Sequence, residues 1–196
     1  RSLKERGKNL KRCSWPSNNE LMIQYHDEEW GTPVHDDTKL FEFLVLETAQ
    51  AGLTWQTILN RREGYRKAFA NFDYKKVAKF TGEDAERLRQ DVGIIRNRLK
   101  IASTITNAQY FIEIQKEFGS FDKYIWSFVG GKPIVNQIEK MSDIPANTEI
   151  SDTMSKDLKK RGFKFVGSTI MYAFMQAAGL VNDHEVSCFR YKGCLK

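Results

Sequence analysis

Two pairs of residues with metal-binding side chains stand at opposite ends of this 196-residue chain. Cys13 and His26 lie near its start, and His184 and Cys188 lie near its end. Because the chain has only three cysteines and three histidines, these pairs hold four of the six. Two cysteines and two histidines form a common closed, tetrahedral zinc site. If one ion binds all four, the fold must bring its two ends together.

The spacing of the two pairs fits shared binding of one ion. His184 and Cys188 are four residues apart, which places both side chains on one face of a helix or tight turn. Cys13 and His26 have twelve residues between them, enough for two local elements to supply one ligand each. Thiolate and imidazole suit zinc better than calcium or magnesium, which prefer oxygen ligands. The alternative is a set of buried free cysteines and hydrogen-bonded core histidines.

The composition indicates a globular protein with a core of its own. The length fits one domain or a tightly fused pair and is enough to bury a sizeable core. No stretch approaches the roughly 20 apolar residues of a membrane span, and residues 1–12 contain no apolar segment like that of a secretory signal. Three cysteines do not suggest a disulfide framework, so a cytoplasmic protein without a membrane partner is expected.

The charge is concentrated at the start of the chain. Residues 1–12 hold six basic side chains and one acidic one, so they carry +5 of the formal net charge of +6. The other 184 residues carry only +1, and overall charge is therefore a weak argument for nucleic-acid binding. We expect a basic arm at 1–12 that is either flexible or in contact with phosphates, one helical domain at 13–188, and a tail at 189–196.

Helical signals dominate, and they predict an all-α, multi-helix fold. Apolar periodicity and capping residues place helices at 37–52, 55–69, 73–80, 81–90, 96–117, 121–128, 151–161 and 169–178. Strand signals are few, and the short segment 163–166 is either a strand or a linker. Segment 130–150 contains Gly-Gly, Lys-Pro and Ile-Pro, which predict an irregular loop.

Glu47 is the most informative single residue. It lies at helical spacing from Leu40, Leu44 and Ala51, so its side chain should point inward with the apolar face. A buried carboxylate is costly unless it is paired or hydrogen-bonded. Glu47 is therefore either half of a structural salt bridge or a carboxylate in a pocket that receives a polar or cationic ligand.

Three aromatic residues are expected near that carboxylate. Trp55 follows the Glu47 helix by one tight turn, and Tyr25 and Trp15 each lie within two residues of a candidate metal ligand. If a metal gathers the ends, Tyr25 and Trp15 are held in one place. A carboxylate beside aromatic rings suits a flat, electron-poor heterocycle that stacks and donates hydrogen bonds. The alternative is that these are ordinary core residues.

A helical hairpin is predicted at residues 83–108. Gly93 permits a backbone turn, and N–H groups exposed there, together with the following helix N-terminus, would bind an anion. Arg96, Arg98 and Lys100 follow directly, as a phosphate-binding helix–hairpin–helix requires. Any two helices joined by a glycine turn share this outline.

Motifs in a fixed order run along most of the chain, at residues 13–15, 25–31, 46–47, 50–55, 93–101, 158–167 and 175–184. Together they resemble the bacterial 3-methyladenine DNA glycosylase I family over about residues 12–188. The resemblance implies a helix–hairpin–helix glycosylase fold whose N- and C-terminal segments are joined by a structural zinc. The implied ligands are the same four that the spacing selects: Cys13, His26, His184 and Cys188.

The resemblance also implies an activity: removal of 3-methyladenine from alkylated double-stranded DNA, with release of the free base and formation of an abasic site. The positions that match its base-recognition residues are Tyr25, Glu47 and Trp55, with Trp15 beside them. Glu47 provides the negative charge of the site and is our candidate catalytic residue. A monomeric enzyme of the bacterial cytoplasm, associated with the nucleoid through its substrate, is expected.

Such an enzyme must flip the lesion out of the duplex. Gly52 and Leu53 either wedge into the gap that the flipped base leaves or form a simple turn between helices. The superfamily commonly has a catalytic aspartate after its hairpin, but Asp122 fits the first turn of a helix better. The alternative functions are a non-catalytic, zinc-stapled module that binds damaged or bent DNA and a metal-stabilised protein–protein adaptor.

Overall fold

The structure is a computed structural model that describes residues 10–195. This part of the chain is mostly helical, with eleven α-helices: α1 Glu20–Glu28, α2 Asp37–Ala49, α3 Trp55–Asn60, α4 Arg62–Ala68, α5 Tyr74–Val77, α6 Gly82–Arg89, α7 Arg98–Phe118, α8 Phe121–Ser127, α9 Glu149–Lys160, α10 Ser168–Ala177 and α11 Phe189–Gly193. Short 3-10 helices lie at Ala70–Phe72 and Met141–Asp143. Within residues 10–195, no helix combines the length and apolar character needed to cross a membrane.

Helix α2 is the centre of the fold. Its ten residues from Leu40 to Ala49 are all buried, and it packs against α3, α7, α8 and α10. A helix that is apolar on nearly every side belongs in a core rather than on a surface. Two of the buried positions are the carboxylates Glu42 and Glu47, so the central helix carries charge into the core.

Capping residues set most of the helix starts where the sequence placed them. Thr81 and Asp84 form a reciprocal capping box at α6, and Ser120 caps α8. The long α7 begins at Arg98 rather than at 96, because the side chain of Asn97 accepts a hydrogen bond from the Lys100 N–H.

Other element predictions were wrong. The predicted helix at 55–69 is two helices, because the backbone leaves the helical conformation at Arg61. Helix α1 was not predicted, since it buries only Tyr25 and His26 and its sequence has little apolar periodicity. Helix α9 begins at Glu149 with Thr148 as its cap, and Ser151 is inside its first turn.

Segment 130–150 has more order than a loop. It contains strand β1 (Ile134–Val135), which pairs in parallel with strand β2 (Val181–Asn182), and an isolated bridge joins Ile138 to Glu185. The segment then forms the short 3-10 helix Met141–Asp143. No strand forms at 163–166, within the part of the chain that the structure describes.

The two ends of the described chain pack against each other. The Phe189 N–H donates to the Lys11 carbonyl oxygen at 2.8 Å, and the Ser14 N–H donates to the Glu185 carboxylate at 2.8 Å. The predicted tail at 189–196 contains helix α11, so most of it is structured. Most of the predicted basic arm, residues 1–9, lies outside the described residues.

Candidate functional site

Cys13, His26, His184 and Cys188 form one buried cluster whose ligand atoms all lie within 4.8 Å of one another. The Cys13 Sγ is 3.5 Å from His184 Nδ1, and the Cys188 Sγ is 3.5 Å from His26 Nε2 and 3.6 Å from His184 Nδ1. In a tetrahedral zinc site with ordinary bond lengths, sulfur and nitrogen ligands stand roughly 3.6 Å apart. The donor set and its spacing therefore fit one tetrahedral metal ion.

The outward-facing ring nitrogens of both histidines are occupied. His26 Nδ1 lies 2.8 Å from an Asp27 carboxylate oxygen, and His184 Nε2 lies 2.8 Å from the Trp30 carbonyl oxygen. The Asp27 carboxylate is held in turn by Arg12 at 2.7 Å. Partners of this kind fix which ring nitrogen remains free to bind a metal. The nitrogens aimed into the cluster are therefore the metal-competent ones.

The two sulfur atoms also receive backbone hydrogen bonds. The Glu185 N–H points to Cys13 Sγ at 3.3 Å, and the Arg190 N–H points to Cys188 Sγ at 3.4 Å. The hydrogen bond between the two thiols, followed by those from the histidines, lowers the pKa of Cys188. The same contact between the thiols raises the pKa of Cys13, so within this pair Cys188 is the sulfur that favours thiolate, the form of cysteine that binds metal.

A pocket of about 320 Å³ lies beside the cysteine–histidine cluster, in the size range of small-ligand sites. Its lining is mainly aromatic and apolar, and only Glu47, Gln50 and Gln176 carry an amide or carboxyl group. The residues that line it are Trp15, Tyr25, Trp30, Glu47, Gln50, Trp55, Met141, Ile144, Ala173 and Gln176. The predicted base-binding residues Trp15, Tyr25 and Trp55 and the predicted catalytic Glu47 are all among them. The structure therefore brings these four together, and their roles stay a prediction.

Unsatisfied polar atoms are concentrated in this pocket. Five buried side-chain polar atoms within residues 10–195 lack a hydrogen-bond partner, and four of them belong to pocket residues: Trp15 Nε1, Tyr25 OH, Glu47 Oε2 and Trp55 Nε1. Leaving one buried polar group without a partner costs about 1–3 kcal/mol. Their convergence indicates a pocket shaped for a polar ligand that supplies the missing hydrogen bonds.

Glu47 has no counter-ion in the described part of the chain, and only 3% of its surface is exposed. Burial raises the pKa of its carboxyl from 4.5 to about 8. The structural salt-bridge alternative instead fits Glu42, which contacts Arg62 at 2.9 Å and Arg66 at 3.1 Å. Burial opposes ionisation of Glu42, but Arg62 and then Lys39 outweigh it and lower the pKa of this carboxyl.

The cysteine–histidine cluster and the pocket share one aromatic wall. The Trp15 ring lies 5.5 Å from the His26 ring and 6.3 Å from the Tyr25 ring, and Tyr25 lies 5.2 Å from Trp55. Burial, followed by the charge of Glu47, raises the pKa of Tyr25, so its hydroxyl stays protonated and can donate. Gathering the chain ends therefore also positions the rings that line the pocket.

The helical hairpin forms between α6 and α7, but Gly93 acts differently from the prediction. Its N–H donates to the Asp91 carboxylate at 2.8 Å, so it is not available to an anion in this conformation. Its carbonyl oxygen would lie 2.0 Å from a Cβ atom on Gly64, so α4 and the turn meet at a glycine contact. Close backbone packing is the role that the structure gives this turn.

The three predicted cations of the hairpin differ from one another. Arg96 and Arg98 are exposed and form no ion pair within residues 10–195. Lys100 instead donates to the carbonyl oxygens of Ala49 at 2.9 Å and Ala51 at 2.6 Å, and burial lowers its pKa. Lys100 therefore satisfies the carboxyl end of α2 rather than a phosphate, whereas Arg96 and Arg98 remain free for one.

Gly52 and Leu53 form the exposed turn between α2 and α3. Gly52 has a positive φ of 78°, a conformation that favours glycine, and nothing lies within 4 Å of the position where its Cβ would stand. Leu53 is 38% exposed although it is apolar. The turn connects two helices and also projects an apolar side chain next to Trp55. Its role as a wedge in DNA and its role as a simple helix connection both stay predictions.

Several pocket residues had no clear signal in the sequence. Gln50 caps the end of α2, Gln176 is a polar residue on α10, and Met141 and Ile144 come from the segment predicted as a loop. Their convergence depends on tertiary packing, which sequence periodicity does not report. Asp122 lies in the first turn of α8, as predicted, and contacts His35 at 2.7 Å.

Comparison with known proteins establishes the family. Residues 15–191 match the family model described as methyladenine glycosylase, so the chain belongs to this family, as its motifs indicated. It is 53% identical over 184 residues to DNA-3-methyladenine glycosylase 1 of Escherichia coli (strain K12). The aligned region covers 94% of this chain and 98% of that protein. It is 48% identical to DNA-3-methyladenine glycosylase of Haemophilus influenzae, covering 90% of this chain and 96% of that one.

Solved structures agree with this placement. A crystal structure of a 3-methyladenine DNA glycosylase I is 51% identical, with a TM-score of 0.89 and coverage of 91% of this chain and 98% of that one. A Staphylococcus aureus 3-methyladenine DNA glycosylase I, studied for its recognition of 3-methyladenine, is 38% identical with a TM-score of 0.89, covering 92% and 96%. The mostly helical fold predicted from the sequence is confirmed.

Proposed function

We propose that this protein is a DNA repair glycosylase that hydrolyses the N-glycosidic bond of 3-methyladenine in alkylated double-stranded DNA. The observation that carries the proposal is the buried, unpaired carboxylate of Glu47 in an aromatic pocket with three further unsatisfied donors. A flat cationic base supplies what this pocket lacks: positive charge, hydrogen-bonding edges and a ring face. Family membership and two relatives named for this activity support the same conclusion.

The pocket residues divide the recognition of the base between charge and stacking. Glu47 accepts hydrogen bonds from the base and opposes its positive charge, which returns the carboxylate to its ionised form. Trp55 provides a stacking face, and Tyr25, whose ring lies 5.2 Å from that of Trp55, donates from its hydroxyl. Trp15 closes the wall on the metal side. Each of these assignments gives a partner to an atom that lacks one in the protein alone.

The base reaches the pocket only after it leaves the duplex stack. Leu53 and Gly52 enter the gap, and the exposure and apolar character of this turn beside Trp55 support that role. Arg96 and Arg98 hold the phosphates from the hairpin. Lys100 has no part in this contact, since it is engaged with the end of α2.

Hydrolysis needs little acid catalysis because N3-alkylation leaves the base positively charged. When the bond from C1′ to the base nitrogen breaks, its electron pair neutralises the base, and 3-methyladenine leaves as a neutral molecule. Water adds to C1′ and loses a proton to solvent, which leaves an abasic site. The Glu47 carboxylate stabilises positive charge as it moves from base to sugar.

We also propose that the metal of the terminal cluster is zinc and that its role is structural. Two thiolates and two imidazoles, all supplied by the protein, favour zinc and leave no open position for a reacting water. Bound there, zinc contributes a cross-link between chain ends rather than a chemical step. The residues that hold it are Cys13, His26, His184 and Cys188.

One experiment tests the activity directly. Methylated duplex DNA is incubated with the protein, and the bases set free are separated by chromatography. We expect 3-methyladenine to be released in proportion to enzyme. A non-catalytic module that binds damaged DNA would retain the DNA in a binding assay and release no base, and that result would remove the glycosylase assignment.

A further inference from the structure

Gln176 lines the pocket from α10, one turn after Ala173 on the same helix face. Its side-chain amide nitrogen donates to the Asp183 carboxylate at 2.9 Å. No donor within residues 10–195 bonds to its side-chain oxygen, Oε1. Since a carboxylate only accepts hydrogen bonds, the NH₂ group must face Asp183 and the oxygen is the polar atom left over for the pocket.

Asp183 is held firmly enough to fix this orientation. It is 1% exposed, and its second oxygen accepts from the Asn136 amide at 2.7 Å. The Tyr172 hydroxyl donates to the same oxygen as Gln176. A carboxylate that is surrounded by three donors is an acceptor only. It therefore cannot form a hydrogen bond with the carbonyl end of the glutamine amide.

We propose that Gln176 is a specificity-determining residue of the pocket and that Asp183 positions it. In this arrangement Gln176 Oε1 accepts a hydrogen bond from the exocyclic amine of a 3-alkylated adenine. That amine carries two N–H groups, so it donates to the Glu47 carboxylate and to Gln176 at once. The inference rests on the proposed function and names the atom that reads the base.

The same oxygen rejects the corresponding guanine. Guanine carries a carbonyl oxygen where adenine carries the amine, so a 3-alkylated guanine would set one acceptor against another. An acceptor that faces an acceptor in a buried site loses its hydrogen bond and keeps its desolvation cost. Discrimination by a mispaired polar group exceeds what an apolar wall achieves. Gln176 thus favours adenine because it accepts from the adenine amine and because it disfavours the guanine carbonyl oxygen.

The test compares Gln176→Met with a matched control, Gln115→Met. Gln115 on α7 donates to the Asp37 carboxylate at 2.7 Å, so both substitutions remove a glutamine-to-aspartate hydrogen bond of the same type. Asp37 keeps the N–H groups of Phe121 and Asp122, and Asp183 keeps its other two donors. Methionine is similar in size to glutamine and has no amide, so packing is largely kept.

The measurement is the single-turnover release of 3-methyladenine and of 3-methylguanine from the same methylated DNA. In Gln176→Met, we expect 3-methyladenine release to slow by about five- to tenfold and its ratio to 3-methylguanine release to fall roughly tenfold. The Gln115→Met control should keep the wild-type ratio. An unchanged ratio in Gln176→Met, with wild-type release normal, overturns the inference and leaves the glycosylase assignment intact. A wild-type protein that releases neither base overturns both.

Asp183→Asn tests the positioning role. An asparagine can present its own NH₂ to Gln176, so the glutamine amide is free to turn and offer its donor end to the pocket. The release ratio should then fall as in Gln176→Met, although Gln176 is still present. A wild-type ratio in a folded Asp183→Asn protein overturns positioning by Asp183. Because Asp183 adjoins His184, Gln176→Met decides the main inference even where this variant does not fold.

Discussion

Glu42 and Glu47 lie five residues apart on the same buried helix and have opposite electrostatic surroundings. Glu42 faces Arg62 and Arg66, which compensate its burial, whereas Glu47 faces the pocket without a cation from the described chain. Helical spacing predicted that Glu47 points inward. It did not predict which inward carboxylate is paired, because only Lys39 of the pairing cations lies on the same helix, and the approach of the two α4 arginines is decided by tertiary packing.

Removal of the Glu47 charge should impair recognition of the cationic base without affecting folding. In Glu47→Gln the shape of the side chain is kept and the charge that opposes the cationic base is lost. We expect single-turnover release of 3-methyladenine to fall by about 100-fold, in the range of removing one preorganised electrostatic contact. Metal content and melting temperature should stay near wild type. A rate equal to wild type would exclude Glu47 from the mechanism.

Glu42→Gln is the matched control for that substitution. It removes the same charge from the same helix, but it leaves Arg62 without part of its buried ion-pair network. The expected result is a lower melting temperature with release of 3-methyladenine near the wild-type rate in the folded protein. The two variants should therefore show opposite patterns.

The unpaired carboxylate should also shape the dependence of stability on pH. With a folded-state pKa of about 8 against an ordinary 4.5, the folded protein holds a proton that the unfolded chain has released between these values. The free energy of unfolding therefore falls as pH rises through this window, by up to ~1.4 kcal/mol for each pH unit, and the fall ends above the folded-state pKa. Urea unfolding of wild type and Glu47→Gln at pH 5 and 8 measures the difference. Parallel behaviour of the two proteins would contradict the buried, uncompensated state of Glu47.

At the level of elements, the hairpin shows how far local sequence determines the fold. The capping box of α6 is local and predicted that helix, whereas α7 was predicted from the turn before it and its Asn97 cap was missed. The packing of the turn between α6 and α7 was not predicted, because the turn contacts the region of α3 and α4. Arg61 donates to the Val92 carbonyl oxygen at 2.8 Å, and the Ile95 N–H donates to the Tyr65 hydroxyl at 3.3 Å.

The exposed arginines of the hairpin should govern the salt dependence of DNA binding. Each of Arg96→Ala and Arg98→Ala should weaken binding to undamaged duplex and reduce the slope of log affinity against log salt by about one. Lys116→Ala is the matched control, since it removes an exposed charge near the far end of α7. A slope that stays at the wild-type value in both arginine variants would exclude the hairpin as a phosphate contact.

Lys100 should behave differently from its two neighbours. Its ammonium satisfies the carbonyl oxygens of the buried Ala49 and the half-buried Ala51, so Lys100→Met leaves both acceptors without this partner. We expect the free energy of unfolding to fall by about 1–3 kcal/mol with no change in the salt slope. Urea unfolding and salt titrations on one preparation measure both quantities. A reduced slope with unchanged stability would restore the phosphate-contact role.

For the whole molecule, the meeting of the chain ends was predictable and the pocket was not. If one ion binds all four ligands, their side chains must converge whatever chain length separates them, so residue types together with the family resemblance predicted the closure. The pocket wall instead needs Met141 and Ile144 from the segment 130–150 and Gln176 from α10. No local pattern links these positions, because only packing of the finished helices brings them together.

Loss of one metal ligand should therefore affect both ends of the chain and the pocket between them. Cys13→Ala should abolish metal binding and lower the free energy of unfolding by roughly 2–5 kcal/mol, as loss of a cross-link that closes a long loop does. It should also weaken binding of free 3-methyladenine, because Trp15 follows Cys13 by two residues and packs 5.5 Å from His26. Cys194→Ala is the control, since Cys194 is buried beside His184 but is not one of the four ligands, so its loss should leave metal binding intact. Elemental analysis, thermal melting and a fluorescence titration with the base measure the three effects, and a wild-type protein purified without metal would contradict the cross-link.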